Sequence, residues 1–309
     1  MSRRPSPICR RRVIRWSNGR RRGCAPKPDA VPTLYIVPTP IGNLEDITLR
    51  ALRVLRECAL IAAEDTRTTR VLLQHYQIST PATSYHEHNK LTKLDAIFAA
   101  LESGDVALVS DAGTPGISDP GYELIQEAIR RGVRIEALPG ATALIPALVA
   151  SGLPTDSFVY AGFLPRKPRA LRDFLAALAQ ETRTIVCYES PNRLLETLEA
   201  LEAVFGARPL CVAREISKLH EEFFRGDISA ARAHYRANPP RGEIVLLIGG
   251  YTPPPAAAWD EIAVRKALYA RLDAGEPLSS AAKALAQVCG WPRRAVYELG
   301  AGRDHPPEK

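Results

Sequence analysis

The feature that most constrains this chain is a short apolar run, Val106-Ala107-Leu108-Val109-Ser110, that breaks off into Asp111-Ala112-Gly113-Thr114-Pro115-Gly116-Ile117-Ser118-Asp119-Pro120-Gly121. The run reads as a buried strand. The polar stretch after it cannot be core. Its glycines admit positive φ and close approach to the backbone. Its prolines stiffen the chain, and its hydroxyls and carboxylates are short polar arms. A stiff polar loop at the carboxyl end of a buried strand is where open α/β sheets bind ligands. The stretch is therefore read as a cofactor loop; the alternative is an ordinary strand-to-helix turn.

The same strand–loop–helix unit recurs before and after it. An apolar strand at 34–37 runs into Pro38-Thr39-Pro40-Ile41-Gly42-Asn43. A helix follows from about Asp46, with Ile47, Ala51, Val54, Leu55 and Cys58 at helical spacing. A strand at 59–63 ends in Glu64-Asp65-Thr66-Arg67 and leads into a helix at 66–76. Residues 80–89 read as polar loop and 90–102 as helix. Beyond the opening stretch come a helix at 121–131, a strand at 133–138, the turn Pro139-Gly140-Ala141-Thr142-Ala143 and an Ala-rich helix. This repetition predicts a mainly parallel sheet covered by helices. Right-handed crossovers would gather the loops 38–43, 111–121 and 139–143 on one sheet edge.

The pattern breaks at 152–156, the expected domain boundary. A second α/β set follows, with strands at 158–163, 184–188, 210–213, 222–225 and 243–248. Its helix at 192–205 carries Leu194, Leu195, Leu198, Leu201 and Phe205 on one face, with Pro191 near its first turn and Gly206 after its last. Residues 249–255, with three consecutive prolines, read as a linker. Helices at about 259–272, 278–288 and 292–299 then resemble a helix-turn-helix unit, which either docks on the body or contacts RNA. The chain thus divides into an extension (1–32), an N-terminal α/β cofactor-binding domain (33–152), a C-terminal α/β domain (153–250) and a linker with a small helical domain (251–309).

A length of 309 residues suffices for two domains with real cores. No apolar run approaches the ~18 residues of a membrane helix, so no membrane partner is expected. The net charge of +7 is unevenly placed: residues 1–31 hold ten Lys and Arg against one acid, Asp29. The body is therefore slightly acidic, and the basic balance belongs to an extension expected to be disordered. That extension either touches RNA phosphates or is idle. It lacks the apolar core of a secretory signal; being Arg-rich it also fits a transit peptide, though its serines are few. The six cysteines form no CxxC pair, which points to a reducing, cytoplasmic setting without zinc or disulfides. His86-Glu87-His88 lacks helical HExxH spacing, so no metal is expected. No GxGxxG follows a strand, and neither GxxxxGK[ST] nor GxSxG occurs.

Seven motifs in order carry a resemblance: Pro38-Thr39-Pro40-Ile41-Gly42-Asn43, Ala63-Glu64-Asp65-Thr66-Arg67, Ser110 to Gly116, Asp119-Pro120-Gly121, Pro139 to Ala143, Gly162-Phe163-Leu164-Pro165-Arg166 and Tyr188-Glu189-Ser190-Pro191. Over about residues 33–250 the chain resembles the ribosomal RNA small subunit methyltransferase I family, a branch of the tetrapyrrole methylase-like (class III) methyltransferases. The last fifty residues are similar to that family's small helical domain, whereas the Arg-rich extension is foreign to it.

The resemblance implies two α/β domains with S-adenosylmethionine in the cleft between them, within a homodimer. It implies methyl transfer to the ribose 2′-hydroxyl of a cytidine in the decoding region of 16S rRNA, in the 30S subunit. It also implies that Pro38, Gly42, Asp111, Ala112, Gly113 and Thr114, with Ser118 nearby, and Gly140, Ala141, Thr142 and Ala143 form the cofactor pocket. Phe163 either contacts the adenine or belongs to the sheet core. Such a reaction needs alignment and a proton acceptor. Glu64 and Asp65 are the first candidates, then Glu189, Glu215 and Lys218. For Asp65 the competing role is a cap on the helix at 66–76. Arg67, Arg70, Arg166, Lys167, Arg169, Arg193 and Lys218 are candidates for RNA phosphates. The competing functions are tetrapyrrole methylation on the same scaffold and a non-catalytic RNA-binding adaptor.

Overall fold

A computed structural model of the chain describes residues 31–86, 90–253 and 259–302. Residues 1–30, the Glu87-His88 pair and much of the proline linker lie outside the described residues.

The first lobe holds five strands, β1 (Thr33–Ile36), β2 (Leu60–Ala63), β3 (Ala82–Ser84), β4 (Val106–Val109) and β5 (Arg134–Ala137), with helices α1 (Leu49–Glu57), α2 (Thr66–His75), α3 (Lys90–Ser103) and α4 (Tyr122–Arg130). All the strands pair in parallel, in the order β3-β2-β4-β1-β5. Side chains alternate between the faces of a strand, and here both faces are covered. Ala107, Val109, Ile61 and Ala63 pack with Leu55 and Leu73 on one side. Leu34, Ile36, Val106 and Leu108 pack with Ile97, Phe98 and Leu124 on the other. That double burial is why the inner strands β2 and β4 read as unbroken apolar runs, while the edge strands β3 and β5 do not.

Two local expectations are corrected. Residues 80–89 are not all loop, because the three-residue edge strand β3 lies within them. It is Ala82-Thr83-Ser84, small or polar and nowhere fully buried, so it carries no apolar signal. The first helix begins at Leu49, where the Thr48 side chain accepts the Ala51 N–H, and a separate one-turn 3₁₀ helix at Leu44–Asp46 precedes it.

Helix α5 (Leu144–Ser151) follows the turn at 139–143. Leu144, Ala147 and Leu148 pack against the second sheet rather than the first. That sheet contains β6 (Phe158–Phe163), β7 (Thr184–Glu189), β8 (Pro209–Arg214), β9 (Glu222–Asp227) and β10 (Ile244–Ile248) in the order β6-β7-β10-β8-β9. Helices α6 (Pro168–Ala177), α7 (Leu194–Phe205) and α8 (Ile228–Ala237) contribute Leu171, Leu175, Leu198, Leu201, Ala231 and Tyr235 to the core on its other face. Only the β6–β7 pair is parallel. β10 runs antiparallel to both its neighbours, and β9 antiparallel to β8. This sheet is therefore mixed, unlike the first. The short β8–β9 connection leaves no room for the crossover a parallel pair needs.

The C-terminal helices α9 (Glu261–Asp273), α10 (Leu278–Cys289) and α11 (Arg293–Ala301) close on their own small core of Val264, Leu268, Ala281, Ala282, Leu285 and Val296.

Candidate functional site

The three special loops meet at the carboxyl edge of the first sheet, held by backbone and hydroxyl bonds. Thr39 and Gly113 exchange both N–H···O bonds at 2.9 Å. The Thr39 hydroxyl donates to the Ser110 carbonyl at 3.0 Å, and the Thr114 hydroxyl to the Ala141 carbonyl at 3.0 Å. Pro38 packs against Gly140 so closely that a Cβ there would sit 2.6 Å from the proline Cβ. Only glycine allows that approach.

Together these loops form one wall of a cavity of about 380 Å³, and the second lobe forms the other. Of the expected site residues, Asp111, Ala112, Gly113, Thr114, Ser118, Thr142, Ala143 and Phe163 line it. Pro38, Gly42, Gly140 and Ala141 do not: Pro38 packs on Gly140, the Ala141 carbonyl accepts the Thr114 hydroxyl, and Gly42 lies under the aliphatic chain of Lys218. Phe163 is not core but exposed, edge-to-face with Tyr188 at 5.4 Å.

Several further lining residues are not among the expected site residues. Ile41, Ile117, Ile216 and Val245 give the cavity apolar surface. Tyr188, Ser190 and Pro191 come from the end of β7, and Gly242 to Val245 from the start of β10. Asp119 lies in the opening stretch and in the Asp119-Pro120-Gly121 motif, but it is not among the expected site residues. The Ser118 hydroxyl is hydrogen-bonded to the Tyr160 hydroxyl at 2.6 Å, across from one lobe to the other. Ser118 itself has φ +62, which few non-glycine residues adopt.

The charge of the lining is one-sided. Glu64, Asp111, Asp119 and Glu243 line it, Glu189 adjoins it with its carboxylate buried, and no Lys or Arg among the described residues lines it. Burial raises the Glu64 and Asp111 carboxyls above the usual range, and pushes Asp119 up to about 7.

The candidate proton acceptors separate clearly. Asp65 caps α2 and is gripped by Arg67, whose hydrogen bonds hold its carboxyl down to about 2. It does not line the cavity. Glu189 is fully buried with both oxygens engaged: Oε1 accepts the Ser190 N–H at 2.7 Å and Oε2 the Thr197 hydroxyl at 2.6 Å, while Arg193 lies 3.3 Å from Oε1. Glu215 accepts Lys218 at 2.9 Å, which lowers its carboxyl. Burial alone would lower the Lys218 ammonium, but Glu215 and Glu243 raise it overall, so it has no free base to offer. Of the residues expected to accept a proton, only Glu64 remains at the cavity with a raised carboxyl.

The expected RNA contacts also divide. Arg166, Lys167 and Arg169 are exposed on the segment after β6, and Arg70 is exposed on α2. Arg67 projects outward while bound to Asp65. Arg193 is committed elsewhere: its guanidinium donates to the Leu164 and Pro165 carbonyls at 3.2 and 2.7 Å. Lys218 is committed to its two glutamates.

Residues 33–232 match the family of tetrapyrrole (corrin/porphyrin) methylases. The chain is similar to the ribosomal RNA small subunit methyltransferase I of a Synechocystis strain, at 49% identity over 268 residues, covering 86% of this chain and 96% of that protein. It is 45% identical over 269 residues to the protein of the same name from Escherichia coli O157:H7, covering 86% and 93%. Among solved structures, diphthine synthase superimposes with a TM-score of 0.55 at 13% identity, covering 71% of this chain and 90% of that one. That likeness supports the fold alone.

Proposed function

The chain belongs to the tetrapyrrole methylase family and, inside it, to the ribosomal RNA small subunit methyltransferase I branch; from that premise we propose that it moves a methyl group from S-adenosylmethionine to the ribose 2′-hydroxyl of a cytidine in the decoding region of 16S rRNA. The observation that carries this reading is the cavity. Among the described residues it has four acidic residues besides the buried Glu189, no Lys or Arg, an apolar stretch and walls built from loop backbone. A cationic sulfonium carrying an adenosine and an amino-acid arm suits that lining, whereas a phosphorylated cofactor does not.

When bound, S-adenosylmethionine supplies a methyl carbon already electrophilic through its sulfonium. The chain's own work is to place, shield and deprotonate. Thr114, Thr142 and the backbone of residues 111–114 and 142–143 would hold the polar arms. Ile41, Ile117, Ile216 and Phe163 would cover the adenosine and exclude water. Arg70, Arg166, Lys167 and Arg169, exposed beyond the cavity, would meet RNA phosphates. A small-subunit substrate puts the enzyme in the cytoplasm, and no helix among the described residues is long and apolar enough to cross a membrane.

The test is incubation with 30S subunits and methyl-labelled S-adenosylmethionine. Label is expected in 2′-O-methylcytidine after nuclease digestion of the 16S rRNA. Label entering only a porphyrinoid would favour the tetrapyrrole reading. Absence of cofactor binding by calorimetry would favour an RNA-binding adaptor.

The working unit is a homodimer in this reading. Ile145 and Val149 stand exposed one turn apart on α5, and Tyr122 and Ile129 two turns apart on α4. Apolar side chains so placed favour a second copy. Sedimentation velocity is expected to give twice the chain mass, and a monomer at micromolar concentration would remove the dimer.

A further inference from the structure

Three carboxylates meet the cavity where the first-lobe strands end: Glu64 after β2, and Asp111 and Asp119 after β4. Two of them are tied to the main chain. The Asp65 N–H donates to Asp111 Oδ1 at 3.0 Å, and the Asp111 N–H donates to Glu64 Oε2 at 3.2 Å. Asp119 is half-buried in the wall of the same cavity. The groups that face it are Glu64, Asp111 and the Ser110 hydroxyl from the first lobe, with Tyr160 on β6 and Tyr188 on β7 from the second. None of these is a cation, so none of them fixes Asp119 in its charged form. His86 stands beyond Glu64 and bears on that residue.

We propose that Asp119 is the group that takes the proton of the substrate's 2′-hydroxyl, with Glu64 as the neighbour that sets when it can do so. The assignment rests on the methyl-transfer reading. It uses a carboxylate that lines the cavity, faces no cation there and sits on the loop that closes the cofactor wall. Burial first, and the charge of Glu64 second, raise its carboxyl to about 7. A base poised near the working pH combines a sizeable charged fraction with real proton affinity. The balance is complete. The proton passes from the 2′-oxygen to an Asp119 carboxylate oxygen as an oxygen pair forms the new O–CH₃ bond. The C–S electron pair returns to sulfur. The products are a methyl ether, a neutral thioether and protonated Asp119, which then yields its proton to water.

The experiment compares the wild-type protein with Asp119→Asn and Glu64→Gln, using 30S subunits and labelled S-adenosylmethionine. Asp119→Asn is expected to lower kcat by about 10²- to 10³-fold. Cofactor affinity by calorimetry should stay within about twofold. Wild-type kcat should rise with pH to a plateau, its midpoint drawn below the cofactor-free value by the sulfonium charge, and Asp119→Asn should lose that rise. Glu64→Gln removes a like charge, so the midpoint of the rise should move to lower pH.

Two readouts need no turnover. The carbon-13 resonance of the Asp119 carboxyl, assigned by its loss in Asp119→Asn, should titrate near 7. Calorimetric stability should differ between the two proteins with a defined sign. The folded carboxyl is raised to about 7 from 3.8, so folding takes up a proton between those values. The contribution of Asp119 to stability therefore falls as pH rises through that window. Asp119→Asn should melt higher than wild type at pH 8, with the difference closing toward pH 4.

A variant that keeps kcat within about threefold while wild type labels RNA overturns the assignment alone. So does a Kd raised more than about tenfold with kcat kept, which would make Asp119 a cofactor-holding residue. A carboxyl titrating below 5 overturns it as well. If wild type binds the cofactor but puts no label on RNA, the methyl-transfer reading falls and this assignment falls with it.

Discussion

Glu189→Ala is expected to lower stability by about 3–5 kcal/mol, the range for removing one partner of a buried ion pair. The Glu189 side chain is wholly buried at the junction of β7, α7 and the segment after β6. Truncation removes the acceptor of three donors: the fully buried Thr197 hydroxyl, the Ser190 N–H and the largely buried Arg193 guanidinium. Each stranded donor carries its own desolvation cost. Arg193 would also lose its anchor, and with it the grip on the Leu164 and Pro165 carbonyls beside Phe163. Urea denaturation followed by circular dichroism measures the loss. Glu189→Gln keeps one acceptor oxygen and should fall between the two. An unchanged midpoint in Glu189→Ala would mean that water enters and replaces the carboxylate. By contrast, removing Glu127, whose partners Arg130 and Arg131 reach solvent, should barely move the midpoint.

Glu189 also illustrates what can be read from the chain and what cannot. It is recognisable as an acid at a strand end, but its pairing with Arg193 just before α7 and with Thr197 on α7 is fixed only by packing. Lys218 is similar: its basic character is plain, but not its pairing with Glu215 and Glu243. The first lobe is legible because strands covered on both faces must be apolar throughout and must end in loops of special chemistry. In the second lobe, the apolar runs at β8 and β10 mark strands but carry no direction. Order and polarity come from the short turn after β8 and from the insertion of β10 between β7 and β8. That insertion brings Gly242 to Val245 to the cavity, so no local pattern could have announced them. The same holds for α5, whose apolar face does not say which sheet it will cover. Asp119 differs again. It stands in plain view in the opening motif, and only its burial beside Glu64 sets it apart from Asp111.

Gly113→Val should weaken binding of S-adenosylmethionine by about tenfold or more, roughly 1.4 kcal/mol at the least, while the fold survives. Gly113 has φ +83 and exchanges both backbone hydrogen bonds with Thr39. An L-residue in the left-handed region costs about 1–2 kcal/mol, and a β-branched one more. A Cβ here would lie 3.5 Å from Ile41 Cγ2 and 3.9 Å from the Ala141 carbonyl oxygen, so one methylene fits but a branched side chain crowds the joint between all three loops. Flipping residue 113 out of the left-handed region relieves the strain. It also breaks the Thr39 bridge and pulls Thr114 away from Ala141. The sheet beneath does not depend on that bridge, because β1 and β4 pair through their own register at Leu34–Val106 to Ile36–Leu108. Gly132→Ala supplies the control. It imposes a similar strain at φ +69 with open space around the new Cβ, far from the cavity wall. Isothermal titration should show lower affinity in Gly113→Val and unchanged affinity in Gly132→Ala, with both melting a few degrees early. Equal affinity in the two would mean that the loop after β4 is not the cofactor wall. Equal losses would mean that strain anywhere in the first lobe reaches the site, and the local argument from the Thr39–Gly113 bridge would be lost.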